Sequence, residues 1–395
     1  MDKKGLSVEG VLMRNQQSLF ENVRSSLDDS IEMSIASLNA YGQRYKHWAI
    51  AYSGGKDSTA TVTFVAFCLR NKLVTAPESL IVLYADTRME LPPLQEGAMR
   101  LLSELRQQGV DTKIVLPKME DRFFVYMFGR GVPPPKNRFR WCTPQLKVEP
   151  MHNALYSLRQ QAGEKLLMLT GVRLGESAVR DARIALSCSK DSGECGQGWF
   201  QVATPESVAD TLAPLLHWRL CHVYDWLYFE QERHGYDTTS IADVYGDDDV
   251  RTGCVGCNLA SRDTALDRLL RNSKYAHLRP LKDLKPLYGE LTLAKWRKRK
   301  SDAELRKDGQ WSVNAQRLGP LTMEGRLYGL GRVRDIQRRA GVDLINAEEE
   351  GRIMELINAN TWPNKWTGNE INGDCLIDSI KIVGNEIITQ PILLQ

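Results

Sequence analysis

Short apolar runs alternate with longer segments of helical length over the first half of the chain. Apolar runs near residues 47–52, 80–85, 112–117 and 164–171 are short enough to predict buried strands. Residues 59–69 and 93–108 between them predict helices, and apolar positions at helical spacing predict a packing helix over about residues 15–40. This order predicts an α/β fold in which helices flank a parallel sheet.

The pattern changes in the second half of the chain. The glycines and prolines of Phe128–Pro135 predict irregular structure. From Leu259 onward helices dominate, and the tail from Ile377 to Leu394 predicts one or two short strands. We therefore divide the chain into an α/β domain over residues 1–258 and a mainly helical region over residues 259–395.

Composition limits the class of protein. A chain of 395 residues with 42% apolar and 26% charged residues is typical of a soluble globular protein with a large and a smaller domain. The net charge of +3 means that any nucleic-acid surface must be local. Because no run of 18 apolar residues and no apolar signal core occur, we predict a cytoplasmic protein without a membrane span.

The hexapeptide Ser53–Ser58, Ser-Gly-Gly-Lys-Asp-Ser, stands between the first strand and the following helix. Its two glycines let backbone amides approach an anion, and the helix start adds unpaired N–H groups with partial positive charge. Lys56 adds a full charge, and the two serines add hydroxyl donors. A plain Gly-Gly turn is the alternative, but the whole hexapeptide favours a phosphate loop. The hexapeptide lacks the G-x-x-x-x-G-K-[ST] spacing of a Walker loop.

Two other predicted strands end in polar residues. Asp86 and Thr87 follow the second strand, where helix capping is the simpler alternative. Gly171–Arg180 follows the fourth strand and places two arginines on one helix face, suited to phosphate oxygens or to surface ion pairs. Ligands of parallel sheets bind beyond the carboxyl ends of the strands, so these residues are candidates for one nucleotide site. The candidates are Ser53, Gly54, Gly55, Lys56, Asp57, Ser58, Asp86, Thr87, Gly171, Arg173, Glu176 and Arg180.

Eight cysteines occur in the chain, and in an intracellular protein they favour ligands or buried thiols over disulfides. Cys254 and Cys257 form a C-x-x-C that suits zinc, an iron–sulfur cluster or redox chemistry. Cys142, in a segment dense in cations, is the first candidate to join them, and Cys195 is preferred to Cys188 as the fourth ligand. The remaining cysteines give weaker indications: Cys68 and Cys221 are predicted packing thiols, and Cys375 is unassigned.

Four segments together resemble a known superfamily. The Ser53–Ser58 loop resembles the SGGxDS loop of the PP-loop ATP pyrophosphatases, and Arg140–Lys147 and Gly171–Arg180 resemble segments of phosphoadenylylsulfate (PAPS) reductase-like proteins. The Arg251–Cys257 segment is similar to one in DndC-type proteins of DNA phosphorothioation. The shorter, SspD-type members match best, although the upstream cysteine expected in longer DndC proteins is absent here.

The resemblance implies a fold and an activity. The fold is the adenine-nucleotide alpha-hydrolase-like (HUP-type) parallel sheet, and the activity is cleavage of ATP to AMP and pyrophosphate. Lys56, Asp57 and Arg173 are the implied catalytic residues, with ATP, Mg²⁺ and a [4Fe–4S] cluster as cofactors. The implied reaction adenylates a DNA backbone phosphate for sulfur insertion, with a cysteine desulfurase and other phosphorothioation-system proteins as partners.

The C-terminal region carries a local excess of positive charge. Thirteen Lys or Arg face five Asp or Glu between Lys295 and Ala340, with Trp296, Trp311 and Tyr328 among them. Cations with interleaved aromatic residues favour binding of DNA, and a solvated basic or protein-docking face is the alternative.

Two other functions remain open from the sequence. A sulfonucleotide reductase would need a nucleophilic cysteine, and Glu194–Gly196 matches its motif only in part and lies mid-chain. A non-catalytic nucleic-acid-binding protein with a structural cluster or zinc is the other. The sequence does not identify the modified DNA motif, the oligomeric state, the role of the cluster or that of Trp362–Trp366.

Overall fold

The computed structural model of the protein describes most of the chain. It comprises residues 26–175, 208–246, 252–306, 308–312, 314–383 and 386–392. Four candidate residues, Glu176, Arg180, Cys188 and Cys195, lie outside the described residues, as does the first part of the predicted N-terminal helix.

A five-stranded parallel sheet forms the centre of the fold. Its strands are β1 (His47–Tyr52), β2 (Ser79–Ala85), β3 (Asp111–Val115), β4 (Leu166–Leu169) and β5 (Ala209–Leu212). They lie in the order β3-β2-β1-β4-β5, so the strand order reverses between β1 and β4. The predicted α/β class is therefore confirmed. The bounds of β1 to β4 differ from the predicted ones by only a few residues, and β5 was not predicted.

Helices cover both faces of this sheet. In chain order they are α1 (Leu27–Gly42), α2 (Lys56–Arg70), α3 (Pro92–Gln107), α4 (Glu149–Ala162), α5 (Leu220–Tyr228), α6 (Gln231–His234), α7 (Thr239–Tyr245), α8 (Thr264–Leu269), α9 (Leu284–Glu290), α10 (Met323–Ala340) and α11 (Ala347–Asn358). Short 3₁₀ segments join several of them, the longest at Ser273–Asp283. Among the described helices, none is both long enough and apolar enough to cross a membrane.

The two faces of the sheet pack against separate apolar clusters because successive strand side chains point to opposite sides. Trp48 and Ile50 of β1 face the larger cluster, which includes helix α2. Ala49 faces a smaller cluster with Leu155 of helix α4. Burial on both faces explains why β1 and β4 are mostly apolar in the sequence, whereas the edge strand β3 is largely exposed and carries Asp111 and Lys113.

Helix α2 lies almost wholly inside the protein. Trp226 of α5 packs edge-on against Phe64 at 5.6 Å between ring centroids, and its indole N–H donates to the Thr63 hydroxyl at 3.0 Å. Because α2 begins at Lys56, this packing fixes the position of the phosphate loop that precedes it.

The C-terminal part adds small sheets to its helices. Strands β6 (Arg297–Arg299), β7 (Leu318–Leu321) and β8 (Ile371–Asn372) form one sheet in the order β7-β6-β8. Strands β9 (Ser379–Val383) and β10 (Glu386–Gln390) form an antiparallel hairpin, as the sequence predicted for the tail. Helices α10 and α11 contribute to the same large apolar cluster as the main sheet.

A short π-helical turn of the first part packs against helices α10 and α11 of the C-terminal part. Val125–Gly129 forms this turn, so the prediction of irregular structure from Phe128 was wrong for its first two residues. Helices pack closely here: a Cβ at Gly329 of α10 would lie 2.4 Å from the Phe128 ring. The guanidinium of Arg326, fully buried, donates to the carbonyls of Gly129 at 3.1 Å and Thr361 at 2.8 Å.

Contacts with nearby cations give the two tryptophans of the Trp362–Trp366 segment a structural role. The guanidinium carbon of Arg326 lies 4.3 Å from the Trp362 ring centroid, and Lys300 and Arg317 lie 4.5 and 5.0 Å from the Trp366 ring centroid. Cation–π attraction to the two indole rings therefore offsets part of the desolvation free energy of the cations that pack in this region.

His234 gives the fold a pH dependence. Burial lowers the pKa of His234 to about 4, against the opposing hydrogen bond to the Trp226 carbonyl. A histidine whose pKa is depressed by folding stabilises the protein fully above its unfolded pKa of about 6.5, and this stability is lost as the pH falls towards 4.

We therefore expect the free energy of unfolding to fall by about 2 kcal/mol between pH 7 and pH 5 through this residue alone. Urea unfolding of the wild type and His234→Gln at both pH values measures the difference. An equal fall in both proteins would contradict this assignment.

Candidate active site

The phosphate loop lies at the point where the strand order of the sheet reverses. Residues Ser53–Ser58 follow β1, and Thr170–Arg173 follow β4, its neighbour across the reversal. Ligands of open parallel sheets bind in the crevice at this position, beyond the carboxyl ends of the strands. The topology thus brings together two of the segments that the sequence predicted to form one site.

The loop makes its own hydrogen bonds and leaves the helix start available. Ser58 donates its hydroxyl to the Gly55 carbonyl at 3.0 Å and accepts from the Ser53 backbone N–H at 3.2 Å. The two serine hydroxyls lie 3.0 Å apart. No side chain caps α2, whose N-cap is Gly55, so its first-turn amides suit an anion.

Two glycines permit this geometry for different reasons. Gly54 has a φ of +74°, a left-handed conformation that L side chains rarely adopt. Gly171 lies against the start of α2, where a Cβ would come within 2.8 Å of the Asp57 carbonyl and the Ser58 nitrogen. The structure therefore explains why glycine stands at the end of β4.

Asp57 holds two cations at the same edge. One carboxylate oxygen, Oδ1, accepts from Arg173 Nε at 2.5 Å, and the other, Oδ2, lies 3.3 Å from Lys56 Nζ. All three side chains are largely buried. Arg173 also donates to the Trp218 carbonyl at 3.3 Å. The carboxylate therefore positions a lysine and an arginine beside the first-turn amides of α2.

Asp86 and Thr87 are buried at the end of β2, next to β1. Asp86 accepts the Arg88 backbone N–H at 2.8 Å, and Thr87 donates to Glu90 at 2.6 Å. Both side chains thus stabilise the local turn, but neither caps helix α3, whose N-cap is Leu91, so the capping alternative was wrong. Their contact with a nucleotide stays a prediction.

Tyr245 is a residue of this site that sequence reasoning missed. Its hydroxyl accepts the Lys56 backbone N–H at 3.4 Å and lies 2.5 Å from the Thr252 hydroxyl. Lys56 Nζ lies 5.0 Å from the Tyr245 ring centroid. No motif marks Tyr245, because it comes from the end of α7, 189 residues after Lys56.

The Tyr245 hydroxyl takes a backbone donor that a phosphate oxygen would need. We expect Tyr245→Phe to bind pyrophosphate about threefold to tenfold more tightly, because one competing acceptor is removed. Isothermal titration with pyrophosphate measures this, with Tyr228→Phe as a control tyrosine whose hydroxyl donates to Gly246. Weaker binding by Tyr245→Phe would mean that this hydroxyl serves the anion as a donor.

Three candidate cysteines approach one another at the end of this site. Cys142, Cys254 and Cys257 lie close enough for their charges to interact, and burial raises the pKa of Cys254 to about 11. The attraction of Cys254 raises the pKa of Lys147. The C-x-x-C turn is tied to the loop after β2, since the Val255 N–H donates to the Met89 carbonyl at 2.7 Å.

The donor atoms suit a soft metal, but the described residues do not complete a ligand shell. Thiolates are the ligands of iron–sulfur clusters and of structural zinc. Within the described ranges, no three Cys, His, Asp or Glu side chains stand in an arrangement that would hold a metal ion. Cys195 and Cys188 lie outside those ranges, so the choice of a fourth ligand stays a prediction.

The other cysteines of the described residues lie either in the core or at the surface. Cys68 is fully buried in α2, which confirms the prediction of a packing thiol. Cys221 is exposed, so the same prediction was wrong for it: in the short helix α5 the neighbouring positions Val223 and Trp226 face the core instead. Cys375 is also exposed.

Most cations of the basic C-terminal region already have partners. Seven of the twelve described Lys and Arg residues between 295 and 340 form ion pairs: Lys295, Lys300, Arg306, Arg317, Arg334, Arg338 and Arg339. Trp296 stacks on Tyr328 at 4.8 Å between ring centroids. The region therefore offers less free positive charge than its sequence indicates.

No curated protein matches the chain significantly. Solved structures that match include PAPS reductase from Candida auris in a phosphate complex (14% identity, 58% of this chain and 89% of that chain, TM-score 0.34). The U34-tRNA thiolase NcsA from Methanococcus maripaludis with its [4Fe–4S] cluster also matches (12% identity, 67% and 79%, TM-score 0.33). Scores of this size carry no argument about function.

The sequence match to a protein family is more extensive. The model of the phosphoadenosine phosphosulfate reductase domain matches residues 47–257, which is more than half of the chain. The matched segment begins with β1 and ends at Cys257, so it contains the phosphate loop, Arg173 and all the candidate cysteines named above. On this match, the chain belongs to the phosphoadenosine phosphosulfate reductase domain family.

Proposed function

We propose that this protein cleaves ATP to AMP and pyrophosphate in order to activate a DNA backbone phosphate for sulfur insertion. The observation that carries the proposal is the Asp57 carboxylate, which holds Lys56 and Arg173 beside the uncapped amides of α2. Two fixed cations and a helix N-terminus stabilise charge that develops on a departing pyrophosphate.

In the proposed reaction, an oxygen of the DNA phosphate attacks the α-phosphorus of ATP. The bond between that phosphorus and the bridging oxygen breaks, and pyrophosphate leaves with the electron pair. A partner cysteine desulfurase carries sulfur as a persulfide, which a thiol reductant converts to sulfide while the reductant becomes a disulfide. The sulfide then attacks the DNA phosphorus, and AMP leaves with the former non-bridging oxygen.

Lys56 and the α2 amides hold the β and γ phosphates in this scheme, and Arg173 faces the α-phosphate. Asp57 keeps both cations in place. Mg²⁺ would bind through the phosphates of ATP, as it commonly does, because Asp57 and Asp86 both already accept hydrogen bonds.

The cysteines belong to the sulfur-transfer half of the proposal. Cys142, Cys254 and Cys257 would hold a [4Fe–4S] cluster together with Cys195. A bound cluster would supply iron sites with affinity for sulfur. Independently of it, the Cys254 turn fastens to the loop after β2 and so lies beside the nucleotide edge.

Product analysis tests the proposal. We expect the purified protein to convert ATP to AMP and pyrophosphate, and host DNA to lose phosphorothioate dinucleotides in mass spectra when Asp57 is replaced by alanine. Release of ADP and orthophosphate would contradict the first step. Phosphorothioates that persist in the Asp57→Ala host would contradict the second.

A sulfonucleotide reductase is the second candidate, and the family match favours it. It predicts release of sulfite from PAPS or adenylylsulfate in the presence of a thiol reductant. Incubation of the same protein with either sulfonucleotide separates the two candidates, because only the reductase forms sulfite without ATP.

A further inference from the structure

A short turn with free positive charge stands directly before Cys142. Residues Lys136–Arg140, which we call the cationic turn, are all exposed. Lys136 and Phe139 pair across it: the Phe139 N–H donates to the Lys136 carbonyl at 2.7 Å. The turn is therefore a defined projection from the surface.

Its three cations differ from those of the C-terminal region. Within the described residues, Lys136, Arg138 and Arg140 form no ion pair with a carboxylate, and Arg140 donates only to the Asn137 side chain, at 3.4 Å. Three unneutralised charges in five residues attract a polyanion far more than the same number of paired ones.

Phe139 adds an aromatic surface to this charge. Its side chain is 42% exposed, although large apolar residues of this kind are usually buried. An exposed ring between cations is the arrangement with which proteins bind single-stranded nucleic acid: the cations contact phosphates, and a base stacks on the ring.

The base of the turn is held firmly next to the cysteines. Trp141 is buried, stacks on Phe123 at 5.3 Å between centroids, and donates its indole N–H to the Pro133 carbonyl at 3.0 Å. Asn258, next to Cys257, donates to the Pro135 carbonyl at 3.1 Å. A strand bound by the turn therefore passes close to Cys142 and Cys257.

We propose that the cationic turn is the docking element for a DNA strand, with its cations on successive phosphates and Phe139 stacked on an unpaired base. This inference rests on the proposed function, because it names the surface through which the same site receives its DNA. It assigns the contact to this turn and not to the ion-paired C-terminal region.

Binding of a labelled single-stranded DNA of about 16 nucleotides, measured by fluorescence anisotropy without ATP, tests the inference. We expect Lys136→Gln/Arg138→Gln/Arg140→Gln to bind at least tenfold more weakly, with a salt-dependence slope smaller by about 2. The charge-matched control Arg306→Gln/Arg334→Gln/Arg338→Gln, all paired with acids, is expected to change affinity less than threefold.

Phe139→Ala is expected to lose about tenfold in affinity without a change in salt slope, since stacking releases no counterions. Phe139→Leu separates ring stacking from apolar contact and is expected to lose nearly as much. If circular dichroism shows that the triple variant is misfolded, the single variant Arg138→Gln, in the exposed turn, replaces it in the binding measurement.

Wild-type affinity in the turn variants, or a larger loss in the C-terminal control, would overturn the inference. Tenfold tighter binding of RNA than of DNA would overturn the choice of DNA. Turn-dependent DNA binding by a protein that forms no AMP would refute the proposed function alone, and AMP formation with turn-independent binding would refute the inference alone.

Discussion

Replacing Asp57 with alanine is expected to lower AMP formation from ATP about a thousandfold and to destabilise the fold by about 3 kcal/mol. Both effects have one cause. Asp57 accepts from Arg173 at 2.5 Å and lies 3.3 Å from Lys56, and neither cation has another carboxylate partner among the described residues. Its removal leaves two buried charges without compensation.

A double-mutant cycle measures the interaction free energy between Asp57 and Arg173. Arg173→Met should also be destabilising, but the Asp57→Ala/Arg173→Met double variant should lose about 2 kcal/mol less than the sum of the two single variants. Urea unfolding gives the free energies, and pyrophosphate release gives the activity. The control is Asp210→Ala, which breaks the ion pair to Lys165 at 2.7 Å, elsewhere on the sheet.

Two results would contradict this account. Additive free energies would mean that Asp57 and Arg173 do not act as a pair. Wild-type pyrophosphate release by Asp57→Ala would mean that the two cations hold their positions without it. An Asp57→Asn variant is expected to lose both stability and activity, because its amide oxygen can accept from Arg173 but cannot neutralise either cation.

The sequence was sufficient to predict four of the five strands of the sheet and the place of the phosphate loop, but not β5. Strands buried on both faces are apolar throughout, and the glycine-rich loop follows the first of them directly. Local patterns of this kind need no knowledge of distant contacts. The parallel order of the first four strands then follows, because a helix separates each of them from the next.

The contacts between distant segments could not be predicted in this way. Tyr245 reaches the loop from another helix, and Gly171 is constrained by the backbone of Asp57, 114 positions away in the printed sequence. The free charge of the C-terminal region was overestimated because Glu290 and Glu370, which pair with its lysines, lie outside the basic stretch.

Cysteine replacement is the second test with a large expected effect. We expect protein purified without oxygen to be brown and to contain iron and acid-labile sulfide in equal amounts. Cys142→Ser, Cys254→Ser and Cys257→Ser should each lose most of the iron, because a serine oxygen is a poor ligand for this metal compared with a thiolate. The C-x-x-C spacing of Cys254 and Cys257, and the nearness of Cys142 to Cys257, are the reasons for choosing these three thiols.

The exposed cysteines supply matched controls for this test. Cys221→Ser and Cys375→Ser remove thiols that lie on the surface, and both should keep the iron content of the wild type. Comparison of Cys195→Ser with Cys188→Ser then identifies the fourth ligand. Stoichiometric zinc in a colourless protein would mean that the site binds zinc and not a cluster. Iron retained in Cys254→Ser would mean that Cys254 is not a ligand. Loss of iron in Cys254→Ser with ATP cleavage retained would instead confine the cluster to the sulfur-transfer half of the reaction.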